Sequence, residues 1–162
     1  MVVLGVDPGL GATGYAVVVS GPAAPRIVEA GVIRSKAAHS LEQRLLELSG
    51  GLEQVIGEYH PDVLAIEELY SHYAHPKTAV IMGHARGVFF LLAGKSGIPV
   101  CSYSATRIKK SLTGAGHATK EQVARMLAGI LKCERIGGPA DVTDAVATAL
   151  CHINTVTHGG VR

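Results

Sequence analysis

The chain contains no tryptophan, two phenylalanines and five tyrosines in 162 residues, so aliphatic side chains must supply most of any core. Cysteine is scarce as well. Cys101, Cys133 and Cys151 are odd in number, widely spaced and without a C-x-x-C pair. Neither a disulfide framework nor a zinc knuckle is indicated, and a reduced, cytoplasmic protein is the expectation. No apolar run reaches the ~18 residues of a membrane span, because charges, glycines or prolines interrupt each one. The opening MVVLGVDPG has no basic n-region and reads as a strand rather than a signal peptide. Charged residues make up 17% against 48% hydrophobic, which excludes a charge-dominated disordered chain. Length, and the absence of repeats or low-complexity linkers, point to one domain over residues 1–162.

The most informative absence is that of acid. Between Leu69 and Lys120 there is no aspartate or glutamate, against seven basic residues: Lys77, Arg86, Lys95, Arg107, Lys109, Lys110 and Lys120. Met1 to Glu68 carries four basic and nine acidic residues, and Glu121 to Arg162 carries four of each. A solvated basic face is one reading of the middle stretch. A polyanion-binding surface is the other, since Lys and Arg gain affinity for phosphates by releasing counterions. His72, His75, His84 and His117 lie in the same stretch.

Three short runs, Val2 to Val6, Gly14 to Val19 and Glu29 to Ser35, predict a meander of strands. Leu41, Leu45, Leu48, Leu52, Val55 and Tyr59 recur at helical spacing until Pro61-Asp62. Val63 to Ile66 reads as a buried fourth strand, Lys77 to Lys95 as a helix and Ile98 to Cys101 as a fifth strand. Helical stretches follow at Ala105–Leu112 and Thr119–Lys132, where Thr119 and Gln122 fit a capping box, and a last helix begins near Pro139. The order predicts an α/β sheet that mixes hairpins with crossovers.

Gly9-Leu10-Gly11-Ala12-Thr13-Gly14 spells the dinucleotide fingerprint G-x-G-x-x-G. That motif works only where a helix N-terminus follows, and here strand material follows, Tyr15 to Val19. The glycines are therefore read as a hairpin turn in which glycine supplies positive φ. A similar Asp-plus-Gly hairpin cradles phosphate in actin-like ATPases, but these use two lobes and this chain has room for one.

Carboxylates recur at the predicted element ends. Asp7 closes the first strand and is held extended by Pro8. Glu67 and Glu68 close the fourth, and alternation sends them to opposite faces, so only one can join Asp7. Asp141 and Asp144 share one side of the first turns of the last helix. Each alone also reads as a cap, a turn former or a solvated charge. Together, Asp7, Glu67, Asp141 and Asp144 offer hard oxygen donors of the kind that hold Mg²⁺ or Mn²⁺. Two such ions ~4 Å apart suit phosphodiester hydrolysis, and the basic stretch would bring the phosphodiester. The pattern predicts a metal-dependent nuclease.

The chain resembles the RuvC family of Holliday-junction resolvases, within the ribonuclease H-like superfamily. The resemblance runs through Gly5-Val6-Asp7-Pro8-Gly9 with Thr13-Gly14-Tyr15, Ala65-Ile66-Glu67-Glu68 and Gly83-His84-Ala85-Arg86-Gly87. It continues through Ile108-Lys109-Lys110, Gly114-Ala115-Gly116 and Lys120, and closes on Asp141-Val142-Thr143-Asp144-Ala145. It implies an α/β, ribonuclease H-like fold with a five-stranded mixed sheet flanked by helices on both faces. It also implies a homodimer, with a contact near Gly83, Ala85 and Gly87, that resolves four-way DNA junctions in recombination and repair. Two strands of like polarity would be nicked symmetrically by water, leaving 5′-phosphate and 3′-hydroxyl ends. By motif match, Asp7, Glu67, Asp141 and Asp144 would be catalytic and would hold Mg²⁺, or Mn²⁺ in its place, with two ions per site. Where some members carry His at the third acid position, this chain has Asp141. Tyr70 matches an aromatic that stacks on a base near the crossover, and Lys109 and Lys120 match residues of the DNA path, with Arg107 and Lys110 as neighbours. RuvA and RuvB, the branch-migration proteins, are implied partners, and no membrane is. Three rival readings remain: a nuclease acting on RNA or RNA–DNA hybrid, a non-catalytic DNA-structure-binding protein, and a small ATP-binding regulator.

Overall fold

A computed structural model describes residues 1–69, 76–157 and 159. The described chain runs β1 (Val2–Asp7), β2 (Ala12–Val19), β3 (Arg26–Arg34), α1 (Leu41–Tyr59), β4 (Val63–Glu67), α2 (Pro76–Lys95), β5 (Val100–Tyr103), α3 (Ala105–Thr113), α4 (Lys120–Leu131) and α5 (Ala140–Thr157). The strands form one sheet in the order β3-β2-β1-β4-β5. The β1–β2 and β2–β3 pairs are antiparallel, and β1–β4 and β4–β5 are parallel. The ends of β1, β3, β4 and β5 therefore share one edge of the sheet.

Alternation along the strands splits the core in two. Leu4, Val6, Val17, Leu64 and Ile66 pack with α1 and α2 residues, among them Leu48, Leu52 and Phe89. Val3, Ala16, Val18, Val63 and Ala65 pack on the other side with α3, α4 and α5. Helices cover both faces, as expected, and β1 up to Val6 and β4 up to Ile66 are apolar because both of their faces are buried. Arg86 crosses from α2 to β5, donating to Ser102 Oγ at 2.7 Å while its guanidinium lies 4.5 Å from the centre of the Phe90 ring.

The helix boundaries follow local chemistry. Ser40 with Gln43 and Thr119 with Gln122 form capping boxes at the starts of α1 and α4. His60, left-handed at φ 45°, ends α1 just before Pro61. The fifth strand starts later than its apolar run suggests. Gly97 turns at φ 68° and the Ile98 amide bonds back to Ala93, so Ile98 and Pro99 finish the turn and pairing begins at Val100. The glycine-rich turn after Asp7 also differs from expectation, because Gly9, Gly11 and Gly14 all have negative φ. Gly14 lies inside β2, paired with Asp7, and its lack of a side chain serves a different purpose.

Candidate active site

Helix α5 lies against β1 and β2 with almost no clearance. A Cβ at Gly14 would overlap the Asp141 carbonyl oxygen, and one at Gly5 would overlap that of Ala145, one turn further along. The small residues Ala145 and Ala149 continue this contact face. Two glycines on the sheet thus set the depth of the helix, and its first turns carry Asp141 and Asp144 to the end of β1. Glu67 arrives from the other side. Val6 pairs with Ile66 in parallel register, so Asp7 and Glu67 each follow on adjacent strands, about 4.8 Å apart in the pairing direction. Glu68 is exposed, its amide bonded to the Tyr103 carbonyl at 2.9 Å, so of the two glutamates it is Glu67 that joins Asp7.

The charges are crowded. Burial, then Asp144 and Asp141, pushes the Asp7 carboxyl up from 3.8 to about 6, with Lys120 opposing. Burial, then Asp7 and Asp144, pushes Glu67 up from 4.5 to about 7, with Lys120 and Lys109 opposing. Asp7 thus feels Asp141 and Asp144, Glu67 feels Asp7 and Asp144, and Lys120 opposes both. Lys120 Nζ donates to Asp144 Oδ2 at 3.2 Å, and that bond raises the lysine's own pKa. Beside this pair, between α3, α4 and α5, opens a cleft of about 400 Å³ lined by Glu67, Asp144, Lys109, Lys120, Glu121 and Thr143 among others.

Not every expected site residue enters this cleft. The Arg107 guanidinium lies 5.1 Å from the centre of the Tyr103 ring, and Lys110 is exposed on α3 away from the cleft lining. Tyr70, His72 and His75 lie outside the described residues. Glu121 and Thr143 were not singled out from the sequence. The Glu121 carboxylate is held low first by its own backbone amide and then by the Thr119 hydroxyl, which is helix-start chemistry; Thr143 stands between the two aspartates with no sequence signal of its own.

The donor set suits a hard divalent cation: carboxylate oxygens only, partly buried, with no thiolate or imidazole among them. Acids crowded in this way are costly unless a cation neutralises them. Among the described residues, no group of three or more His, Cys, Asp or Glu is drawn tightly enough to hold an ion as it stands. Lys120 opposes the raised pKa of both Asp7 and Glu67, and Lys109 that of Glu67.

A five-stranded mixed sheet of this order, covered by helices on both faces and carrying acids at the ends of β1 and β4 and the start of its last helix, has the ribonuclease H-like fold. The sequence model of the RuvC family, described as crossover junction endodeoxyribonuclease RuvC, matches residues 3–152. A crossover junction endodeoxyribonuclease RuvC of Rhodopirellula baltica is 46% identical over 92% of this chain and 84% of its own length. The structure of Thermus thermophilus RuvC superposes with a TM-score of 0.90 at 31% identity, covering 98% of this chain and 97% of that one. The same protein in complex with a Holliday junction substrate gives a TM-score of 0.89 at 28% identity, with the same coverage. The chain belongs to the RuvC family of crossover junction endodeoxyribonucleases.

Proposed function

We propose that this chain resolves four-way DNA junctions by divalent-cation-dependent hydrolysis of phosphodiester bonds, from a single domain. The observation that carries the proposal is the meeting of Asp7, Glu67, Asp141 and Asp144 with Lys109 and Lys120 at one edge of the sheet. The Thermus relative bound to a Holliday junction substrate supports the choice of DNA. Asp7, Glu67, Asp141 and Asp144 would hold the cation, with Mg²⁺ proposed, Mn²⁺ in its place, and two ions per site. When bound, such a cation neutralises phosphate charge and lowers the pKa of a bound water towards neutrality. The rigid ends of β1 and β4 fix two of the carboxylates, and α5, seated on Gly5 and Gly14, fixes the other two. Lys109 and Lys120 draw the scissile phosphate into the cleft against the acids' repulsion. Water attacks in line, leaving 5′-phosphate and 3′-hydroxyl ends. Tyr70 would stack on a base near the crossover.

Symmetric nicking of two strands needs two sites, and α2 supplies a surface for pairing. Val80, Ile81 and Leu91 are exposed apolar side chains on this helix, and Gly83, Gly87 and Gly94 leave it open to close approach. A two-fold homodimer through this face would place two sites on opposed strands of a junction. Arg107 and Lys110 would meet flanking DNA, and RuvA and RuvB would be the branch-migration partners in a cytoplasmic setting. Among the described residues no helix is long and apolar enough to cross a membrane. Incubating the protein with a synthetic four-way junction, a linear duplex of the same arms and an RNA–DNA hybrid, in Mg²⁺, Mn²⁺ or EDTA, tests the proposal. Paired ligatable nicks in the junction alone, lost in EDTA, support it. Cutting of the hybrid in preference to the junction would replace the substrate, and cutting in EDTA would remove the cation.

A further inference from the structure

Lys120 has one charge and two kinds of partner within reach. Its ammonium lies 3.2 Å from Asp144 Oδ2, and its field also reaches Asp7 and Glu67. Yet its side chain is 72% exposed. It springs from the first residue of α4, where Thr119 caps the helix through its own hydroxyl and leaves the lysine stem unanchored. This is a side chain that neutralises partly buried acids while remaining free to leave them. An ammonium and a divalent cation on the one Asp144 carboxylate repel each other, so each weakens the other's hold. A phosphate entering the cleft, which Lys120 lines with Lys109, offers the displaced ammonium a second anion.

We propose that Lys120 is an exchangeable counter-ion. It neutralises Asp144 in the DNA-free protein and transfers to a DNA phosphate when substrate arrives, so that divalent-cation loading and DNA binding are coupled through one side chain. The inference rests on the reading of the four acids as cation ligands and of the cleft as the DNA path. Coupling of this kind is reciprocal: DNA that withdraws Lys120 tightens the cation, and a cation that expels Lys120 tightens DNA. The free protein is thereby biased against holding its metal, and the loaded site is assembled mainly on substrate.

The test uses Mn²⁺ alone, titrated into the full chain without DNA and followed by the electron paramagnetic resonance signal of the free ion. Lys120→Gln should bind Mn²⁺ about 5-fold or more tightly than wild type. Lys120→Arg, which keeps the charge, should stay near wild type, and Asp144→Asn should bind weakly, which locates the titrated site. Melting curves in the same buffer establish that each variant is folded. Equal affinity for wild type and Lys120→Gln, with Asp144→Asn weakened, overturns the exchange and leaves the cation site standing. Unaltered Mn²⁺ binding in Asp144→Asn overturns the cation-site reading, and the exchange with it. A second measurement is a double-mutant cycle for junction binding in EDTA. Asp144→Asn should tighten binding more when Lys120 is present than when it is Gln, because only then is an ammonium released to the phosphate. Equal tightening in both backgrounds overturns the coupling.

Discussion

At pH 8 and without divalent cations, Asp7→Asn should make this protein more stable, although it removes a residue central to the proposed chemistry. The Asp7 carboxyl is raised from 3.8 to about 6, first by burial and then by Asp144 and Asp141. An acid with a raised folded-state pKa keeps its proton in the folded chain where the unfolded chain has released it. Folding then takes up a proton, so stability falls as pH rises from about 4 to about 6, and above that window the whole penalty stands. A shift of about 2 pKa units corresponds to about 3 kcal/mol. Asparagine keeps the shape without the charge, so its gain is bounded by that figure; with the partly solvated carboxylate screened, about 1–3 kcal/mol is expected at pH 8. For a chain of this size that is about 3–10 °C in Tm. The assay is thermal or urea unfolding of both proteins in EDTA at pH 4, 6 and 8. The difference should be near zero at pH 4 and full at pH 8, and Mg²⁺ should narrow it by stabilising wild type more. An Asn variant less stable than wild type at pH 8, or a difference independent of pH, would mean that Asp7 is a satisfied structural group. The crowding argument would then fail.

Other consequences follow from the same geometry. Gly14→Ala puts a methyl into the Asp141 carbonyl, so α5 must lift at its acid-bearing end. Overpacking of this kind costs about 1–3 kcal/mol. A displacement near 1 Å lowers turnover on the order of 100-fold. Unfolding curves and single-turnover cleavage measure both, and normal cleavage by a folded variant would break the link between sheet glycines and site. Lys109→Ala should weaken junction binding and reduce the slope of log K against log[salt] by about 0.9, read by fluorescence anisotropy; an unchanged slope would move the DNA path elsewhere. Leu91→Glu, on the exposed face of α2, should shift the chain from dimer to monomer in sedimentation while the variant still unfolds cooperatively. A monomeric wild type would refute the pairing surface.

What could be read ahead of the structure was whatever depends on neighbours in sequence. The leucine spacing of α1, the capping box at Thr119 and the apolar runs of β1 and β4 are local signals, and each lies where it was expected. The four acids were legible because they sit at element ends, and alternation had reduced Glu67 and Glu68 to a choice that the register with β1 makes. What depends on tertiary contact was hidden. The glycine after Thr13 looked like a turn residue, but only the helix lying on it explains it. Lys120 and Asp144 are 24 residues apart, and nothing local announces that one neutralises the other. Arg107 belonged to the same basic stretch as Lys109, yet it lies over the Tyr103 ring while Lys109 lines the cleft, a divergence set by helix phase. The start of β5 was misplaced because the turn at Gly97 consumes two residues of an apolar run.

The central claim is that four carboxylates at one sheet edge do chemistry on a junction held by basic residues beside them. Its most direct test measures, on one labelled four-way junction, both binding in EDTA and single-turnover cleavage in Mg²⁺, for wild type and Asp7→Asn. The account predicts equal or tighter binding by the variant, because a negative charge is gone, together with loss of cleavage. A variant that still cuts at the wild-type rate, or one that is folded and no longer binds the junction, would contradict it.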